Sequence, residues 1–235
     1  MNKQNNFTIK LDKIKTKIPL EYCNLPKGIL PKNNFIGFNY AILSSGFISV
    51  ELSGKLFATP NNFGYLTYAN SNLISDEIYN LSKIKIHNEY LLTQAPVFRV
   101  DVTEDISVND DPKYYISEYR QILKSCTDKL TVYKYKDMTY TTGFSLVPKT
   151  LNNFRASVYI KDREIRKYRN KDYRKIFSTE FLKQAENIIR FECQYRKYKD
   201  MRTIFNIRNN KTPTISDILN CKNNVVAEFF ENLTD

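Results

Sequence analysis

The 235-residue chain has no tryptophan, one histidine and six glycines, and each shortage narrows what it can do. With His87 as the single imidazole, metal sites or base catalysis needing two histidines are excluded, and its polar setting, KIKIHNEY, reads as surface decoration. The glycines form neither a GxxxxGK[ST] loop nor a GxGxxG turn, which argues against nucleotide-dependent enzymes of those kinds. Cys23, Cys126, Cys193 and Cys221 are far apart and make no CxxC, so neither a zinc ribbon nor a redox pair is indicated. Reduced, structural thiols in a cytoplasmic protein are the expectation. No apolar run approaches the length of a membrane span, and residues 1–17 are polar and basic, unlike a signal peptide.

What is present is a hydrophobic fraction of 42%, enough for one sizeable core or a core with a smaller appendage. Lys and Arg number 36 against 25 Asp and Glu, a net charge of +11. Residues 149–211 hold 18 basic and 7 acidic residues, so this one segment carries the whole imbalance. Tyr168, Tyr173, Tyr195 and Tyr198 are interleaved with those cations. Basic side chains neutralise phosphates and aromatic faces stack on unpaired bases, so the pattern points to nucleic acid with strongly salt-dependent binding.

Periodicity predicts a mixed α and β chain. Residues 7–18 and 97–106 alternate as strands, and residues 40–57 read as a hairpin. Pro112 opens a helix with Tyr115, Ile116, Tyr119, Ile122 and Leu123 at helical spacing. Strands are expected over 130–144, 154–165 and 188–196, the first two joined by a turn containing Pro148 and Asn152-Asn153, with helices from Ser178, over 200–207 and over 215–230. The last opens with Thr214 in a T-x-x-D capping arrangement.

Alternate strand residues face opposite sides, so parity sorts three of these runs. In VFRVDVTED, Phe98, Val100 and Val102 are apolar while Arg99, Asp101, Thr103 and Asp105 share the other side. In NFRASVYIK, Ala156, Val158 and Ile160 oppose Arg155, Ser157, Tyr159 and Lys161. In IIRFECQYR, Ile189, Phe191 and Cys193 oppose Arg190, Glu192, Gln194 and Arg196. If the three share a sheet, one face packs on helices and the other carries carboxylates flanked by arginine. Two such carboxylates suit a hard divalent cation, Mg²⁺ or Mn²⁺, which would polarise a phosphate. A tyrosine among cations is expected to shift toward phenolate and attack a phosphodiester, leaving a phosphotyrosine link and a free 3′-hydroxyl.

The blocks FRVDVTED, SVYIKDREI and IIRFECQYR resemble, in the same order, the "RxDxxxD", "(I/V)Y(D/I)K..E" and "(I/L)R(F/I)E" blocks of the replication initiators of rolling-circle plasmids and filamentous phages. The resemblance implies an α+β fold: a ferredoxin-like nicking domain, mainly antiparallel, with helices on one face and a polar catalytic face, over residues 1–199. Residues 200–235 would be a C-terminal helical extension, the start of an accessory domain. It implies nicking and rejoining of one strand of single-stranded or hairpin origin DNA, with a host helicase as a further partner. Carried onto this sequence, Asp101 and Glu192 match metal-site acids, Lys161 a phosphate contact and Tyr159 the nucleophile. Tyr140 and Tyr168 are rival nucleophiles among 17 tyrosines, and the His-hydrophobe-His motif of better-known nicking enzymes is absent. Arg99, Arg155, Arg163, Arg166, Lys167, Arg169, Arg190 and Arg196 are the expected DNA contacts. A mobilisation relaxase with the same chemistry and a non-catalytic DNA-binding protein stay open beside the initiator.

Overall fold

A computed structural model describes residues 8–126, 130–135, 139–149 and 153–233, and these fold into two compact units. The first comprises the described residues of Met1–Phe57, Gly64–Val100 and Arg196–Asn224, the second those of Ala58–Phe63, Asp101–Tyr195 and Val225–Asp235. Described residues from Arg196 to Asn224 thus fall in the first unit and those from Val225 in the second.

In the first unit, strands β1 (Leu11–Pro19), β3 (Lys32–Phe35), β4 (Phe38–Leu43) and β5 (Phe47–Ser53) lie in the order β3-β4-β5-β1, and β2 (Cys23–Asn24) pairs with β6 (Lys85–Ile86). The expected hairpin over 40–57 is β4 and β5, in antiparallel register through Tyr40 and Val50. Gly37 ends the β3–β4 turn at φ 83°, where an added Cβ would lie 2.3 Å from the Leu56 nitrogen, so only glycine fits. Helices α1 (Ile74–Ser82) and α2 (Asn88–Thr93) follow. Strand β7 (Val97–Ser107) begins in this unit and ends in the second.

The second unit continues with α3 (Pro112–Cys126), β8 (Leu130–Lys134), β9 (Gly143–Pro148), β10 (Phe154–Ile160), α4 (Lys161–Ile165), α5 (Lys171–Arg174), α6 (Thr179–Ala185) and β11 (Ile188–Tyr195). Its strands run in the order β7-β11-β10-β9-β8. Helix α7 (Tyr198–Ile204) and α8 (Ile215–Leu219) return to the first unit, and α9 (Val225–Glu231) closes the second. The α+β class and the antiparallel strand pairing are as the sequence indicates.

Three expected elements are divided. The run over 130–144 becomes β8 and β9, with residues 136–138 outside the described set, as is Asn152 of the expected turn. Helix 215–230 becomes α8 and α9, because Asn220 caps the first and the Asn-rich NCKNN run favours local side-chain bonding over helix. Strand 154–165 stops at Ile160. Beyond it Lys161 pairs with Glu164 and Arg166 with Asp162, spacings of three and four that belong to a helix. The charges that seemed to alternate along a strand are the intrahelical pairs of α4.

The core of the second unit lies on the face bearing Val102, Val158 and Cys193, all buried. Tyr119 of α3 and Phe230 of α9 contact Phe191 there, with ring centroids 5.9 and 5.0 Å away. Among the described residues no helix is long and apolar enough to cross a membrane. Cys23, Cys193 and Cys221 are thiols rather than disulfides.

Candidate active face

The parity reading holds where it matters most: the three strands carrying the motifs are neighbours, β7-β11-β10. In the β10–β11 register, Arg155 lies opposite Gln194, Ser157 opposite Glu192 and Tyr159 opposite Arg190. From β7, Asp101 accepts a hydrogen bond from the Gln194 amide at 3.1 Å, and Asp105 is held by Arg190 through two bonds of 2.6 and 2.8 Å. On the same face Glu192 accepts the Tyr159 hydroxyl at 2.9 Å, and Ser145 and Ser157 share a bond of 3.1 Å. Residues scattered over the sequence thus form bonded polar pairs on one side of the strands.

That side is not an open face. Asp101 and Arg190 are each 1% exposed and Tyr159 is 2% exposed. The ring of Tyr135 stacks on Tyr159 at 4.6 Å and 8°, and the Lys167 ammonium lies 5.2 Å above Tyr135. Phe63 is flanked by Lys161 at 5.1 Å and Arg190 at 5.7 Å, and its carbonyl accepts the Tyr173 hydroxyl at 2.6 Å. Parity shows which side a residue faces, but not what covers that side.

Burial also reverses the expected ionisation of Tyr159. Desolvation, first, and the charge of Glu192, next, push its pKa well above 10, while Arg190, the last of the causes in size, pulls the other way. The phenol is neutral at physiological pH, contrary to the phenolate expected from nearby cations. Since the folded state keeps this proton when the unfolded chain releases it near 10, stability is complete below that value and falls as pH rises beyond it. Burial raises Tyr119 and Cys193 in the same sense. Urea titrations from pH 8 to 11 should therefore show alkaline destabilisation, and Tyr159→Phe should lessen its steepness; an unchanged slope would contradict the burial.

The remaining candidates occupy varied settings. Lys161 is buried and bonded to Glu164 at 2.5 Å, and Arg190 is an internal cation, so neither presents its charge to a surface ligand. Arg155, Arg163 and Arg169 are exposed, whereas Arg166 is shared between Asp162 and Glu186 at 2.6 and 2.7 Å. Arg99 and Arg196 belong to the first unit. Tyr173 and Tyr195 are buried, while Tyr168 is 90% exposed.

Tyr140 is 38% exposed in the turn before β9, with the Arg120 guanidinium 4.6 Å and the Lys124 ammonium 5.9 Å from its ring centre. Both cations sit on α3, which packs on the apolar face, so Tyr140 is separated from the acidic layer by the sheet. Arg120, overlooked in the sequence because it falls outside the basic segment, has a buried Nε with no hydrogen-bond partner among the described residues.

A hard divalent ion needs several oxygen donors free to turn toward it. The carboxylates have the right chemistry, but Asp101, Asp105 and Glu192 each already accept a protein donor, and among the described residues no three His, Cys, Asp or Glu gather around a metal position. As arranged, this donor set would have to share its oxygens between an ion and the Gln194, Arg190 and Tyr159 donors. What it can do without one is accept a proton: Tyr159 is held against a carboxylate at hydrogen-bond distance.

No protein-family model and no curated protein matches the chain. Among solved structures it is similar to a rolling circle replication initiator protein from Geobacillus stearothermophilus, with a TM-score of 0.41 and 10% identity over 96% of each chain.

Proposed function

We propose that the protein is a DNA strand-nicking and rejoining enzyme that initiates rolling-circle replication through a covalent link to Tyr159. The observation that carries this reading is the 2.9 Å hydrogen bond from Tyr159 to Glu192, a nucleophile and base already in contact on the strands that bear the motifs. Because the phenol is neutral, the proton moves during attack rather than before it. Glu192 takes the hydroxyl proton as the Tyr159 oxygen bonds to phosphorus. The bond to the 3′-oxygen breaks, and that oxygen leaves as a hydroxyl after taking a proton from solvent. Reversal rejoins the strand. Access requires the Tyr135 ring and its Lys167 neighbour to move aside, and the exposed cations Arg155, Arg163 and Arg169 provide the surrounding phosphate contacts.

A second reading, a non-catalytic DNA-binding protein, is favoured by the burial of Tyr159, since an inert polar layer needs no access. One experiment separates the two. Supercoiled DNA of the cognate replicon is incubated with the protein in Mg²⁺, in Mn²⁺ and in chelator, and any protein-linked DNA is digested for mass spectrometry. Nicked circles with a nucleotide on Tyr159 are expected. A nucleotide on Tyr140 or Tyr168 would relocate the nucleophile, and no adduct in any ion condition would leave the binding protein as the function. The chelator arm tests the expected Mg²⁺ or Mn²⁺, and with it Asp101 and Glu192 as its ligands, separately from the tyrosine chemistry.

A further inference from the structure

The first unit contains a recess of about 640 Å³ formed where α7 ends and around α8. Arg208, Lys211 and Lys222 line it, with Asp217 as the one acid. Asp217 is already committed: it pairs with Lys211 and accepts from the Thr214 nitrogen and hydroxyl at 3.1 and 2.7 Å, closing the capping box of α8. Arg208 and Lys222 are therefore left uncompensated. Three amides, Asn206, Asn220 and Asn223, share the recess, and their side chains, like those of Arg208 and Lys222, have no protein partner among the described residues. The buried side chains of Phe205 and Ile207 form its apolar part.

Two unpaired cations select a ligand with negative charge. Three unpaired amides, each offering donors beside an acceptor, select one that also has a planar edge of mixed donors and acceptors. The volume suits one small-molecule-sized unit rather than a duplex. We propose that this recess binds one nucleotide, its phosphate against Arg208 and Lys222 and its base edge against the asparagines. The proposal rests on the reading of the protein as one that binds DNA, but not on the tyrosine chemistry. It gives the first unit a base-reading role apart from the acidic layer.

The test uses the full chain with two probes, a short fluorescent single strand and dAMP alone. Arg208→Gln/Lys222→Gln should weaken strand binding about tenfold at low salt and reduce the slope of log affinity against log salt by roughly 0.7, the contribution of one single-strand phosphate. Asn220→Ala/Asn223→Ala should leave that slope unchanged and erase differences in affinity among oligo-dA, oligo-dC and oligo-dT. All four positions are exposed, and circular dichroism checks that each variant folds. If dAMP binding alone is lost, the recess is a free-nucleotide site, and the ligand class stands with a different source. If both variants bind both probes as the wild type does, the proposal is wrong, whatever happens at Tyr159. Loss of the Tyr159 adduct hypothesis would in turn leave these binding results untouched.

Discussion

Replacing Tyr159 by Phe is expected to abolish the DNA adduct and lower nicking at least a thousandfold, while the variant still folds and binds DNA. The change keeps the ring that stacks on Tyr135 and deletes only the oxygen bonded to Glu192. Its stability cost should be that of one hydrogen bond to a charged group, about 1.5–3 kcal/mol. Glu192→Gln separates the two roles. The amide would keep the size and hydrogen-bond the phenol but accept no proton, so nicking should fall by about 10²–10⁴ and the residual adduct should remain on Tyr159. Single-turnover nicking followed by peptide mapping measures both. Wild-type rates in Tyr159→Phe would end the assignment of the nucleophile, and wild-type rates in Glu192→Gln that of the base.

The largest loss of stability is expected at Arg190. Its guanidinium is 1% exposed and binds Asp105 through two short hydrogen bonds, so Arg190→Met leaves a mostly buried carboxylate without its counter-charge. Breaking such a pair from one side costs about 3–5 kcal/mol, whereas replacing both members with apolar residues is often neutral. Urea unfolding should therefore show a severe defect in Arg190→Met and substantial recovery in Arg190→Met/Asp105→Leu. Equal defects in the single and double variants would mean that Arg190 acts through packing on Phe63 rather than through charge.

Much of this arrangement was legible in the sequence, for a definite reason. Period-two alternation is set by backbone geometry, so it placed Asp101, Glu192 and Tyr159 on one side of three strands before any partner was known. At Lys161 alternation misleads, because KDREI satisfies strand alternation and helical pairing equally well, and the ion pairs to Glu164 and Asp162 decide for helix. Burial of the polar layer was illegible because Tyr135 and Phe63 reach it from segments with no pattern linking them to β10. The Asn-rich recess of the first unit was hidden for the opposite reason: isolated asparagines read as loop until the fold assembles them around one volume.

The bonds that join β7 to β11 have a consequence for how the molecule comes into being. Arg190 and Asp105 are 85 residues apart in the chain, Thr103 and the Phe191 carbonyl 88, and Gln194 and Asp101 93. Each requires a long loop to close before it yields any energy, so the acidic layer is among the slow-forming parts of the protein. During synthesis β7 emerges well before β11, the strand that supplies Arg190, Glu192 and Gln194. A nascent chain stopped short of β11 holds Asp101, Asp105 and Tyr159 without the partners that fix them, so Tyr159 has no Glu192 beside it until β11 has left the ribosome.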